Sequence, residues 1–150
     1  MAADAKTVVH RWFDEVWNRG VDATIDELFA PEAIAHGLGV QSVTVRGPAE
    51  FRVFWRNLRS ALPDIQIRIE DTMADGDKAA VRVVIEATHT GDGLGVSPTG
   101  KRIHVPGIVI VRVQGGQIVE GWNSWDQLGL LQQVGAIPPG DASDPFLDCN

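Results

Sequence analysis

Asp126 is the residue best placed, by its neighbours in the chain, to move a proton. It stands in Ile118-Val119-Glu120-Gly121-Trp122-Asn123-Ser124-Trp125-Asp126-Gln127-Leu128-Gly129-Leu130, which reads as a strand running into a short helix. A carboxylate beside large apolar rings such as Trp122 and Trp125 is poorly solvated. Its charged form is then disfavoured, and its pKa rises toward the range useful for general acid–base work. Aspartate is equally a preferred helix N-cap, and the apolar run Leu128, Leu130, Leu131, Val134 follows it. Capping alone therefore explains the residue as well as chemistry does.

The other groups suited to holding a small organic molecule are four histidines and five tryptophans, set against no tyrosine. His36 is the polar member of Ala33-Ile34-Ala35-His36-Gly37; a buried histidine needs a partner, and ligand and backbone serve equally. His89 lies on an apolar strand face near the strand's end, where a core histidine bonded to a carbonyl or hydroxyl is the plainer reading. His104 alternates with Arg102 and fits a solvated face, and His10 fits the surface of the first helix. Trp12 and Trp17 follow a helical stripe and read as core. Trp55 and Trp122 are suited to wall a cavity for a flat aromatic ligand, and Phe51 is counted with them. Asn123 can donate to an oxyanion, although strand alternation puts it on the face opposite Trp122 and Asp126. No His/Cys/Asp cluster has metal-ligand spacing, no glycine loop has the strand–helix context of a phosphate cradle, and no serine nucleophile motif occurs. No metal or cofactor is expected.

These groups must be held by elements that the hydrophobic pattern reveals. Asp4 caps a helix with Val9, Trp12, Phe13, Val16 and Trp17 on one face, ended by Gly20. Asp22 opens a shorter helix stopped before Pro31, and Ala33 to Gly37 reads as a short strand. Gly47-Pro48 begins a third helix with Phe51, Phe54, Trp55, Leu58 and Leu62 inward. The period then changes to two, giving strands around Ile65 to Ile69, Ala79 to His89, Ile103 to Val113 and Ile118 to Trp125. Pro106-Gly107 suggests a bulge in the third of these. Gly91 to Gly100 reads as a mobile connection whose Leu94 and Val96 are able to close as a lid. Helices first and then a four-stranded antiparallel meander make an α+β fold. A curved sheet under helices leaves a cavity for a small molecule.

Length and charge narrow the partners. A chain of 150 residues matches one domain, expected over residues 1–138, with a loose polar tail over 139–150. The formal net charge of −7 disfavours nucleic acid and anionic membrane surfaces. The single cysteine, Cys149, allows no internal disulfide. Met1 to Lys6 lacks a signal-peptide pattern, and no apolar run of about 18 residues occurs; a cytoplasmic location is expected. Arg82, Glu86 and Arg112 share strand faces with Val84, Ile108 and Ile110, a mixed surface suited to a sheet-to-sheet homodimer.

The order helix, helix, strand, helix, long strands resembles the NTF2-like cone fold. Within it the chain is similar to the SnoaL-like polyketide (ester) cyclases. The resemblance rests on Val16-Trp17-Asn18-Arg19-Gly20, Leu28-Phe29-Ala30-Pro31 followed by His36, Gly116-Gln117-Ile118-Val119-Glu120, Trp122 through Asp126, and Gly129-Leu130-Leu131-Gln132-Gln133-Val134-Gly135. It covers roughly residues 4 to 138. It implies that Asp126 is an acid–base catalyst, that His36 lies near the ligand, and that His104 is the second pocket histidine. It also implies a cofactor-free reaction on an apolar or aromatic small molecule: proton abstraction alpha to a carbonyl, then ring closure by intramolecular aldol addition. Two alternatives stand beside it. The fold's epoxide hydrolases use an arginine flanked by aspartates, and Arg82 is followed two residues on by Val84. A non-catalytic binder of an apolar molecule uses the same cavity without the chemistry.

Overall fold

A computed structural model describes residues 2–39 and 42–138. The tail expected over 139–150, with Cys149, lies outside the described residues. Helix α1 (Ala5–Arg11) passes directly into a π-helical segment (Trp12–Asn18). The expected amphipathic helix is therefore one continuous element whose second half is wound wider. The Arg19 N–H bonds the Asp14 carbonyl five residues back, at 3.0 Å, as π winding requires. Asp4 caps the start, accepting from the Thr7 N–H at 2.8 Å. The wider turn keeps Trp12, Phe13, Val16 and Trp17 together on the buried side.

Helix α2 (Asp22–Leu28), strands β1 (Phe29–Leu38) and β2 (Val43–Arg46), and helix α3 (Gly47–Ala61) follow. Then come β3 (Gln66–Asp75), β4 (Lys78–Thr88), β5 (Arg102–Gln114), β6 (Gln117–Trp125) and a short α4 (Gln127–Gln133). The meander β3 to β6 forms as its alternation predicts, but the sheet is larger than four strands. Its order is β2-β1-β6-β5-β4-β3. The short strand read at Ala33–Gly37 is the centre of a longer β1, which pairs parallel with β6 and antiparallel with β2. Its register shifts on both sides, and those irregularities broke the period-two pattern that marks a strand.

The Pro106-Gly107 pair is not a bulge: β4 and β5 stay in register through Val84↔Pro106 and Val83↔Gly107. The Pro106 carbonyl accepts from the Asp126 N–H at 3.1 Å, so the position of its missing N–H faces β6. The β6 ladder ends at Gly107↔Trp125, and no ladder bond is lost. Gly107 is a seat for Trp125. A side chain there would fall 2.3 Å from the indole ring.

The helices cover one face of the sheet. On that face Trp12, Phe29 and Phe51 cluster with ring centroids 4.9 to 5.5 Å apart, near the range favoured by aromatic pairs. β5 shows the two-sidedness most clearly. Ile103, Val105, Val109, Val111 and Val113 are buried, while His104, Pro106, Ile108 and Ile110 are exposed on the opposite, outer face.

Candidate functional site: an apolar cone with amides at one end

Between helices and sheet lies a cavity of about 370 Å³, within the range of small-molecule sites. The helical side contributes Trp12, Phe13, Trp17, Phe51 and Phe54. The sheet contributes Ile67, Ile85, Ile103, Val109 and Val111. Inward-facing β-branched residues on the long strands and the π-wound aromatic stripe thus make the wall from sequence features that would otherwise make only core. None of the lining side chains is titratable; those with polar atoms are Asn57, Asn123, Gln127 and the indoles of Trp12, Trp17 and Trp125. Burying a charged ligand group there would carry a large desolvation penalty with no partner to offset it.

The polar end is built where β6 meets α4. Alternation along β6 turns Gly121, Asn123 and Trp125 to the cavity. The Asn123 amide nitrogen donates to the His36 carbonyl at 2.9 Å. That fixes its orientation and leaves its second N–H and its oxygen for a ligand. Gln127 donates to the Gly39 carbonyl at 2.5 Å, tying α4 to the end of β1. Leu130 of α4 and Gly93, Leu94 and Gly95 of the β4–β5 connection complete this end. That connection is docked: the Gly91 N–H bonds the Ala61 carbonyl at 3.1 Å, and Leu94 and Val96 pack on the core.

Asp126 sits between two lining residues but is not itself on the wall. It is exposed and caps α4, one oxygen accepting from the Gly129 N–H at 2.9 Å. The hydrophobic cage expected around it is absent, because Trp125 turns inward over Gly107 and Trp122 turns outward. Trp122 lies on the outer face, stacked at 5.9 Å on His36, with the Lys78 ammonium 5.7 Å from its ring centre. His36 is on that same face and bonds Glu120 at 2.8 Å. This bond, with Arg112 behind it at 3.3 Å, holds the Glu120 carboxyl below the usual carboxylate range. His104 is exposed there too, 3.6 Å from Glu86. Neither His36 nor His104 reaches the cavity, since each alternates with the residues that do.

Of the other expected contacts, Phe51 and Asn123 line the cavity. Trp55 is buried in the helical layer and donates to the Val16 carbonyl at 2.9 Å, off the wall. His89 is fully buried with Nδ1 3.1 Å from the Thr99 hydroxyl and is also off the wall. Trp125, Gln127 and Gly121 line the cavity beyond the contacts that the sequence suggests. Trp125 and Gly121 share strand parity with Asn123, and that was the available signal. Among the described residues no three His, Cys, Asp or Glu side chains converge as metal ligands. Among the same residues no helix is long and apolar enough to cross a membrane.

Comparison with known proteins agrees with this geometry. AclR of Streptomyces galilaeus, a candidate hydroxylase, superposes with a TM-score of 0.79 at 26% identity, over 92% of this chain and 85% of that one. IdmH of Streptomyces antibioticus, a candidate polyketide cyclase, superposes with a TM-score of 0.77 at 28% identity, over 89% of this chain and 99% of that one. A Catenulispora acidiphila protein of ketosteroid isomerase-like fold shares the fold at 16% identity, with a TM-score of 0.72 over 85% of this chain and 92% of that one. No curated protein matches the chain. The model of the SnoaL-like polyketide cyclases matches residues 7–134, and with an NTF2-like α+β cone around an apolar cavity, the chain belongs to that family.

Proposed function

We propose that the protein is a cofactor-free cyclase that takes an uncharged, largely apolar polyketide-type molecule into the cone and closes a ring by intramolecular aldol addition. One observation carries this reading: the aromatic and aliphatic cavity has only uncharged polar groups, and three of them, Asn123, Trp125 and Gln127, flank Asp126 in the chain. In the proposed step Asp126 takes a proton from carbon alpha to a carbonyl. The enolate carbon attacks a second carbonyl carbon of the same molecule, forming the C–C bond, and the new alkoxide takes the proton back. Asn123, with a free amide N–H, serves the enolate oxygen; His36 and His104, with their partners Glu120 and Glu86, stand on the outer face of the sheet. Apolar walls that fold a flexible chain into a reactive shape contribute by orientation. For Asp126 to act, its carboxylate must leave the Gly129 N–H and turn toward the cavity when substrate is bound.

A second reading, a binder without chemistry, is favoured by one specific observation: no titratable side chain is part of the wall. The two readings share their ligand and differ at Asp126. Binding is tested by tryptophan emission, since Trp12, Trp17 and Trp125 line the cavity. A neutral anthraquinone should quench it saturably, and an analogue bearing a carboxylate should bind far more weakly. Equal binding of both would oppose an uncharged ligand. We also propose that the chain is a cytoplasmic homodimer joined through the outer sheet face, where Ile108 and Ile110 are exposed beside charges of both signs.

A further inference from the structure

Strand β6 carries a glycine, Gly121, at its middle, on the cavity face. A mid-strand glycine costs about 0.5 to 1 kcal/mol relative to alanine, so its presence asks for a reason. Two other glycines near the cavity have a packing reason. A side chain at Gly37 would fall 2.2 Å from the Asn123 carbonyl oxygen, and one at Gly107 would strike the Trp125 ring. Gly121 has none of this kind. A side chain built there would meet only the Ile110 carbonyl oxygen, at an ordinary 3.8 Å, and otherwise open space. Its backbone has no left-handed conformation that would call for glycine. The space it leaves empty is therefore cavity.

Register explains the shape of that space. Gly121 lies between Ala35 of β1 and Val111 of β5, both on the wall. Ala35 and Gly121 together expose a strip of nearly bare peptide. Asn123 lies two residues along the same strand, about 6.6 Å away. Helix α3 supplies the rings of Phe51 and Phe54 to the same cavity. Glycine inside a strand marks a bulge, a bend or a close approach to the backbone; the register shift of β6 falls between Ile118 and Glu120, and Gly121 is in register with both neighbours, which leaves close approach.

We propose that Gly121 is the specificity-determining residue of the cavity: a planar, uncharged, multi-ring portion of the ligand lies flat on the Ala35–Gly121 backbone, with a polar substituent reaching Asn123. This rests on the reading of the cavity as the ligand site. Gly121 has no role in the chemistry. It sets how thick and how wide a fused ring system the cone accepts, and a β-branched side chain at that position would admit only smaller rings.

The test is fluorescence titration of wild type, Gly121→Ala and Gly121→Val with two neutral probes, pyrene with four fused rings and naphthalene with two. Wild type should bind both. Gly121→Val should weaken pyrene binding about ten- to hundredfold and change naphthalene binding less than about threefold, the scale at which a hydrophobic pocket discriminates size. Gly121→Ala should show the same order of effects at reduced size. Its melting temperature should be at or above that of wild type, because alanine fills open space and restricts the unfolded chain. The alanine variant carries the test should the valine variant fail to fold. Pyrene binding by folded variants with wild-type affinity would overturn the proposal. Failure of wild type to bind either probe would instead overturn the cavity reading beneath it.

Discussion

At the scale of single residues, Asp126 shows how an ambiguous position divides. Its carboxylate closes the first turn of α4 on the Gly129 N–H, and Gly129 has no side chain because one would fall 2.2 Å from that carboxylate. The capping part was legible from the apolar run that follows it. The solvation was not, because it depends on which way two neighbouring rings turn. Alternation states that Asn123 and Trp125 share one face of β6 and that Trp122 has the other, but not which face is inside. The partner strand decides this, since Val109 and Val111, paired with Asn123 and Gly121, are the buried residues of β5. Capping and catalysis separate by substitution. Asp126→Ala should lower stability by about 1 kcal/mol, and Asp126→Asn by only a few tenths, because asparagine caps as well as aspartate; urea unfolding measures both. An Asp126→Ala protein as stable as wild type would contradict the cap.

At the scale of elements, the π segment is held by Glu15. Its carboxylate takes two bonds from Arg11, at 2.6 and 3.1 Å, and one from the buried Thr24 hydroxyl at 3.0 Å. It thereby joins α1, the wider turn and α2. The Arg11 bond, against some burial, holds the Glu15 carboxyl below the usual carboxylate range. A depressed folded-state pKa contributes stability that is complete above the ordinary carboxylate value and is lost as pH falls through the folded value. Glu15→Gln should cost about 1 to 3 kcal/mol at neutral pH. It should also flatten the loss of stability below about pH 4.5, followed by unfolding in urea from pH 7 to 3. An unchanged acid profile would mean that Glu15 does not hold this junction. The helical stripe from Val9 to Trp17 was readable because one face must be apolar. The change of winding inside it was not, because positions four and five apart look alike in a stripe this short. The sequence shows only the centre of β1 for a different reason: its strand period is broken by register shifts, and its parallel partner β6 is distant in sequence.

At the scale of the whole molecule, the fold was legible because the meander and the helical stripes leave few ways to bury their apolar faces. The outer sheet face has a consequence of its own. Ile108 is 54% and Ile110 38% exposed there, while Val84, expected beside them, is 7% exposed and covered within the chain. Light scattering at micromolar concentration should give twice the chain mass, and Ile108→Lys should reduce it to one. A monomeric wild type would show that this face is left to solvent. Ring closure in the cavity is measured as the rate at which a neutral aryl poly-β-ketone cyclises, followed by NMR in buffer, with wild type and with Asp126→Asn. Wild type should accelerate closure by about a hundredfold or more, the contribution of a positioned acid–base group, and Asp126→Asn should lose this while keeping its melting temperature and its affinity for the ketone. Closure at the buffer rate by wild type with ketone bound, or an undiminished rate in Asp126→Asn, would contradict ring closure by Asp126.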